Sequence, residues 1–281
     1  MTVSQKTPEK AFTDSKAIRQ KVFETVSESN KKLTYGELEK RLSQKFTVHK
    51  KALKAAINEL VSDRQLIYTY NLGCSFLEKS FNKPTRISKR VVLKPPNMHY
   101  TPDSDEVIIV IAQGASFGSG EHPTTRLAVR GIEEALSGKN RYSETNHTRA
   151  LDIGTGSGIL AIAAVSLGVK KAMAIDTDPC SRAEAKKNIR LNTMEHRIQV
   201  LDRDIENINE KFFLITANLR YPTLERLCSH ISKITKKPGM VVVSGIKTDE
   251  VTDILNSYTR KGFSCGWKAF EKEWAGLVFV R

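Results

Sequence analysis

Residues 151–178 read LDIGTGSGILAIAAVSLGVKKAMAIDTD, and the fold of most of the chain follows from this stretch. A short apolar run at 150–153 fits a strand, Gly154, Gly156 and Gly158 follow it, and 159–167 carries an apolar helical segment. Glycine has no Cβ and accepts positive φ, so a loop with glycine at every second position turns sharply and admits a ligand close to the backbone. A second strand at 173–175 ends on Asp176. That acid stands about 20 residues beyond the loop, where a carboxylate accepts hydrogen bonds from ribose hydroxyls. The sequence therefore predicts a βαβ unit that holds a ribose-containing ligand.

The spacing narrows the ligand. Dinucleotide folds use G-x-G-x-x-G to bring a helix N-terminus against a pyrophosphate. Here the spacing is G-x-G-x-G, and Asp152 precedes it. An acid beside the loop repels a pyrophosphate and suits a cation. S-adenosylmethionine carries a ribose, a sulfonium and an α-ammonium group. The plainer alternative is a strand-turn-helix with a Gly-rich turn, and the added acid tells against it.

The chain has 281 residues, enough for two domains of ordinary size. Its net charge of +14 is unevenly placed: residues 1–100 hold 20 Lys and Arg against 9 Asp and Glu, and the remainder 25 against 22. A basic first third attracts RNA, DNA or a ribonucleoprotein, or else simply solubilises the surface. Cys74, Cys180, Cys228 and Cys265 are widely separated, with no C-x-x-C pair, which suggests neither a disulfide framework nor a metal site. No stretch has signal-peptide or membrane-spanning character, so no membrane partner is expected and the expected location is cytoplasmic.

Residues 1–14 are polar and read as a disordered tail. Ile18, Val22, Phe23 and Val26 recur at helical spacing, 33–42 forms a second amphipathic run, and Leu53, Ala56, Ile57 and Leu60 a third. Two short β-rich runs at 66–70 and 75–78 flank a turn at Asn71, Leu72 and Gly73. Three helices and a hairpin over 15–82 is the order of a winged helix, whose third helix would start on His49, Lys50 and Lys51, with Lys54 one turn on, as cations for phosphates. Residues 83–105 read as a basic, proline-containing linker. From 106 to 281, strands expected at 107–111, 150–153, 173–175, 198–201, 212–217 and 240–243 alternate with helices, and a hairpin at 263–280 closes the chain. The expected fold class is α/β: a doubly wound, seven-stranded methyltransferase sheet behind an N-terminal winged-helix-like domain.

A second loop lies upstream: ASFGSGEHPTT, residues 115–125. Its glycines allow closure over a ligand, while His122 and the threonines also suit a plain loop and helix caps. The pair FGSGEHPTT and LDIGTGSGILAIAA, with Ala217-Asn218-Leu219 and the LKPP, SGI and GF segments, resembles the PrmA family from about Val91 to the end. These are bacterial enzymes that methylate lysines and the terminal amine of a large-subunit ribosomal protein. The resemblance implies a protein substrate, in the family a ribosomal one, and S-adenosylmethionine as cofactor. In that family a small ferredoxin-like domain recognises the substrate, and residues 15–82 do not match it.

Carried onto matching positions, the resemblance implies that Asp152, Gly154, Gly156 and Gly158 surround the methionine part of the cofactor and Asp176 its ribose. Phe117, Gly118, Ser119, Gly120, His122 and Thr124 form a loop over it, with Ser119 where the family commonly has threonine. Asp204 receives the adenine amino group, or is a solvated turn residue. Asn218 stands at the mouth of the transfer site, binding cofactor and orienting an incoming amine, or else makes a turn. Transfer from a sulfonium needs no metal. Three other functions stay open. One is a nucleic-acid amino methyltransferase, although Asn218-Leu219-Arg220-Tyr221 lacks the prolines of Asn/Asp-Pro-Pro-Tyr. The others are a small-molecule methyltransferase with a dimerising winged helix, and a regulator that only senses the cofactor.

Overall fold

In the computed structural model of the chain, residues 15–29, 32–44, 46, 49–63, 65–71, 74–112, 114, 120, 122–137 and 148–281 are described. They fall into two compact units, Met1–Asn82 and Lys83–Arg281. None of the described helices is long and apolar enough to cross a membrane.

The first unit runs α1 (Ser15–Ser27), β1 (Leu33–Thr34), α2 (Tyr35–Ser43), α3 (Lys50–Ser62), β2 (Leu66–Asn71) and β3 (Cys74–Lys79). Its strands form an antiparallel sheet in the order β1-β3-β2. The residues at helical spacing, Ile18, Val22, Leu38, Leu53, Ile57 and Leu60, meet Leu33, Leu66 and Leu77 in one core. A capping box starts α2: Glu37 donates its backbone N–H to Thr34 Oγ1 (3.2 Å), and the Thr34 N–H returns to Glu37 Oε2 (3.0 Å). Such a cap contributes about 1 kcal/mol and fixes where the helix begins. The three helices and the two longer strands lie where the periodicity places them. Part of the expected turn, Leu72 and Gly73, and all of residues 1–14 lie outside the described residues.

The second unit opens with β4 (Thr85–Arg86), β5 (Val91–Lys94) and β6 (Val107–Val110), a small sheet in that order. There follow α4 (Pro123–Leu136), β7 (Arg149–Ile153), α5 (Ile159–Ser166), β8 (Lys171–Ile175), α6 (Pro179–Leu191), β9 (Ile198–Leu201) and β10 (Phe212–Asn218). The chain ends with α7 (Tyr221–Ile234), β11 (Thr235–Lys247), α8 (Val251–Thr259), β12 (Ser264–Glu271) and β13 (Trp274–Val280). The large sheet has the order β12-β13-β11-β10-β7-β8-β9, and β13 is antiparallel to both its neighbours while the other pairings are parallel.

Period-two alternation assigns the faces of this sheet. Val241, Val243, Leu277 and Phe279 join Leu224, Leu227, Ile231, Ile254 and Tyr258 of α7 and α8 in one core. Val242 and Val278 point the other way, against Gly131 of α4, where a Cβ would lie 2.8 Å from Val242 Cγ1. Every residue from Ile159 to Val165 is buried, because α5 is enclosed among β6, β7, β8, α4 and α6. An all-round apolar helix is what such a position requires.

Two expectations are corrected here. Residues 83–105 do not form a plain linker: they contain β4 and β5, Ile87, Val91, Val92 and Leu93 are buried, and the segment belongs to the second unit. Residues 107–111 are not a strand of the large sheet, since β6 pairs with β5. The continuation of β6 is taken up by side chains of α6 and the residue that follows it. Asn192 accepts from Val110 N–H (2.9 Å) and donates to Val110 O (2.7 Å), and Asn188 Oδ1 accepts from Ala112 N–H (2.9 Å). A short apolar run reads as a strand but carries no information about which strand it joins.

Candidate active site

A cleft of about 400 Å³ opens at the carboxyl ends of β7, β8, β9 and β10. Ligands of open α/β sheets bind at such an edge. Its apolar wall comes from Ile153, Ile159, Leu160, Ile175, Ile205, Leu219 and Leu227, and its polar groups from Thr125, Asp176, Arg203, Asp204 and Asn218 among others.

The glycine loop forms one wall. Gly154, Gly156 and Gly158 take φ of 66°, 54° and 84°, the left-handed region that a Cβ disfavours. Gly154 and Gly156 line the cleft, and a Cβ on Gly154 would lie 2.7 Å from Leu219 Cδ2. Gly158 does not line it. This glycine is the N-cap of α5, and a Cβ there would sit 3.2 Å from Ala185 Cα, so it permits α5 and α6 to approach.

Asp176 is oriented by the loop it faces. Its Oδ2 accepts the Gly156 N–H (2.9 Å) and its Oδ1 the Asp178 N–H (2.9 Å). A carboxylate offers about four lone-pair sites, so each oxygen retains capacity toward the cleft. Asp204 also lines the cleft, next to Ile205, and makes no side-chain cap to the following turn.

Asp152 lies elsewhere than its position beside the glycines suggests. Only 1% exposed, it sits beneath the loop and is not among the lining residues. Its two oxygens accept from Thr155 Oγ1 (2.6 Å) and Thr216 Oγ1 (2.7 Å). Burial pushes its carboxyl up to about 6, against the opposing effect of the two threonine hydroxyls. It braces the loop to β10, and its charge reaches the cleft through the loop rather than by contact.

The upstream loop is described in part. Phe117, Gly118 and Ser119 lie outside the described residues. Gly120 has φ 83°, and a Cβ on it would meet Leu93 Cδ1 at 1.9 Å. His122 is the N-cap of α4 and accepts the Thr124 N–H, while its Nδ1 is 2.8 Å from Thr124 Oγ1. Burial, with Arg126 nearby, lowers the imidazole to about 4, which keeps it neutral and able to accept. Gly120, His122 and Thr124 do not line the cleft; Thr125 does. Its hydroxyl is buried and has no hydrogen-bond partner among the described residues.

Asn218 ends β10 at the cleft. Leu219 N–H donates to Ser244 O (3.1 Å), and at Gly245 (φ 86°) β11 shifts register against β13. A Cβ on Gly245 would lie 2.4 Å from Leu219 O and 3.1 Å from Asn218 Oδ1, so glycine is required for this approach. Of the residues read from sequence, Gly154, Gly156, Asp176, Asp204 and Asn218 are brought together here. Sequence reasoning missed Thr125, Thr216, Leu219 and Gly245 as supports of the site. The Ser-Gly-Ile triplet inside an apolar strand was the available signal for Gly245.

The strand order, with one reversed strand next to the edge and a glycine-loop cleft at the carboxyl ends, is the class I methyltransferase fold. The model of the family described as ribosomal protein L11 methyltransferase (PrmA) matches residues 75–281, and the chain belongs to that family. It is 34% identical over 204 residues to the "Ribosomal protein L11 methyltransferase" of Heliobacterium modesticaldum, covering 72% of this chain and 62% of that one. With the protein of the same name from Geotalea uraniireducens it shares 31% over 205 residues, covering 72% and 65%. The crystal structure of a ribosomal protein L11 methylase from Lactobacillus delbrueckii subsp. bulgaricus superposes with a TM-score of 0.62 at 29% identity, covering 72% of this chain and 99% of that chain. The chain thus spans about 62% of the length of the H. modesticaldum relative, and the family match starts sixteen residues before the expected Val91.

Proposed function

We propose that the second unit is an S-adenosylmethionine-dependent N-methyltransferase acting on an amino group of a protein, with a ribosomal protein as the acceptor by analogy with the relatives' names. The observation that carries this is the convergence in one cleft of Asp176, with open lone pairs on both oxygens, the positive-φ glycine loop, and Asp204 and Asn218 across from it. These groups fit a nucleoside with a cationic tail. The volume is in the range of small-molecule sites. Gly154 and Gly156 would hold the amino-acid part, Asp176 the ribose and Asp204 the adenine amino group. The upstream loop, with Phe117, Gly118 and Ser119, would cover it. When bound, S-adenosylmethionine supplies a methyl group activated for in-line displacement by an amine lone pair.

The chain's own residues present that lone pair. The apolar wall of Leu219, Leu227 and Ile205 disfavours an ammonium ion, so an entering lysine is depressed in pKa and sheds its proton to solvent. Asn218, held by the Gly245 bulge, accepts a hydrogen bond from the neutral amine and aims it. No residue of the cleft is needed as a covalent intermediate, and orientation supplies most of the effect. The first unit, with the helix and strand order of a winged helix and exposed His49, Lys50, Lys51 and Lys54, serves as the acceptor-recognition module in place of the relatives' unmatched segment and contacts ribonucleoprotein. Under this reading the protein works in the cytoplasm.

Incubation with methyl-labelled S-adenosylmethionine and an extract lacking the enzyme tests this, with nuclease and protease treatment in parallel. Label is expected in one nuclease-resistant, protease-sensitive band of the ribosomal fraction. Label confined to a nuclease-sensitive species would sink the protein-acceptor reading. Cofactor binding without any acceptor would favour the sensing role.

A further inference from the structure

The edge of the large sheet opposite the cleft carries a second concave surface of about 490 Å³, lined by Lys211, Ser232, Lys233, Thr235, Lys236, Lys237 and Arg281. Five of these seven residues have cationic side chains and none has an acidic one. Among the described residues none of the five is ion-paired. At the cleft end of the sheet, Arg182 pairs with Asp202 (2.8 Å) and Arg226 with Glu206 (2.6 Å). Unneutralised like charges gathered in one hollow repel one another, and a bound anion relieves that repulsion.

Register extends the hollow into a row. Arg281 pairs through its backbone with Gly239, just beyond Lys236 and Lys237 at the start of β11. Thr235 faces Phe212 of β10, next to Lys211. The Arg149 guanidinium lies 5.4 Å over the Phe212 ring, and Arg149 is itself the register partner of Lys171 on β8, beside Lys170. One exposed or half-exposed cation thus stands at this end of each strand from β13 to β8, after the carboxyl end of the reversed β13 and near the amino ends of β11, β10, β7 and β8. At the ordinary strand spacing the row is about 20 Å long. That length matches about six nucleotides of one strand at a rise of roughly 3.4 Å. Glu210 is the acid of this edge next to Lys211, and Arg203 lies 3.5 Å from it.

Arg281 shows how the hollow is built. Its guanidinium stacks 5.0 Å from the Phe263 ring and donates through Nη1 to Ser232 O and Oγ. Its buried Nε has no partner among the described residues. The lysines around it are held on strand and helix ends rather than on long loops. A regular row of unpaired cations fits a regular polyanion better than a single small ion.

We infer that this amino-terminal edge of the methyltransferase sheet is an RNA-backbone docking surface, separate from the cleft and from α3 of the first unit. It binds phosphates without reading base sequence. The inference stands whether or not the acceptor is a ribosomal protein.

The test measures binding of the full chain to a labelled single-stranded RNA of about 20 nucleotides over a salt series. The triple variant Lys211→Gln, Lys236→Gln, Lys237→Gln should lower the slope of log K against log salt by about 2 and weaken binding roughly 50-fold at physiological salt. The double variant Lys170→Gln, Lys171→Gln should lower the slope by about 1.4. S-adenosylmethionine binding should be unchanged in both, which also shows that they fold. Unchanged RNA affinity and slope in both variants would overturn the inference. So would losses seen only in Lys50→Gln, Lys51→Gln, Lys54→Gln of α3. Polyglutamate of equal length is the control probe: if it binds as tightly as RNA and with the same losses, the surface takes acidic protein and the RNA assignment fails.

Discussion

Asp152→Asn should make the second unit more stable at neutral pH while weakening its hold on a cationic cofactor. The wild-type carboxyl titrates at about 6 in the folded chain against an ordinary 3.8. A pKa raised on folding means that the folded state holds the proton more tightly. Its stabilising contribution is therefore complete below pH 3.8 and is lost as pH rises through 6. Two units correspond to about 3 kcal/mol, because each unit is about 1.4 kcal/mol. Asparagine keeps the shape and removes the charge. Thr216 Oγ1 is within 3.5 Å of Leu151 O, so its hydroxyl hydrogen can turn to that carbonyl while its oxygen accepts from the new amide. The bonds that Thr155 and Thr216 donate to the carboxylate already hold its pKa down, so their loss is contained in that roughly 3 kcal/mol and is not added to it.

The stability difference, variant minus wild type, should thus rise by roughly 2.5 kcal/mol between pH 4 and pH 8. Urea unfolding followed by tryptophan fluorescence reads it cleanly, since Trp267 and Trp274 are the chain's two tryptophans and both belong to the second unit. In parallel, S-adenosylmethionine affinity of the wild type should strengthen as pH rises through 6, and that of the variant should not. S-adenosylhomocysteine, lacking the sulfonium charge, should show a smaller pH effect. A stability difference that stays flat across this range would refute the claim that Asp152 is a strained buried charge beneath the loop.

Three further substitutions probe the cleft. Asn218→Ala should slow single-turnover methyl transfer at saturating cofactor by about 100-fold, the scale of a lost orienting contact, with cofactor affinity less affected; an unchanged rate removes Asn218 from the chemistry. Gly245→Ala places a Cβ 2.4 Å from Leu219 O at φ 86°, and should cost about 2 kcal/mol of stability and depress transfer through displacement of Asn218; a crystal structure with an unmoved 218–219 backbone would contradict this. Asn188→Ala strips partners from Ala112 N–H and Ser157 O (2.8 Å) in a fully buried site, and should destabilise the second unit by about 3 kcal/mol in chemical denaturation; a loss below about 1 kcal/mol would show that neither backbone group depends on it.

The βαβ unit with its glycine loop was legible because its demands are local. Three glycines at positive φ, an apolar strand on each side and an acid at the second strand's end are each fixed by near neighbours in the chain. Period-two and helical spacing likewise placed α6, β9 and β13 within a residue or two. Strand partnership was not legible: β6 and β5 look like any apolar run, and only the Asn188 and Asn192 side chains, about 80 residues away, show why β6 stands outside the large sheet.

The sequence by itself determined the alternating architecture, the glycine loop, Asp176 beside its strand end, and Asn218 at the end of the central strand, because backbone conformation and hydrophobic periodicity are properties of contiguous residues. Tertiary structure alone decided that Asp152 lies under the loop instead of in the cleft, that Gly158 serves helix packing, and that Thr125 rather than His122 borders the cleft. It also brought Arg281, Lys211 and Lys236 into one row. Those outcomes depend on which atoms exclude water and which charges face each other across strands, and that is set only when distant segments pack.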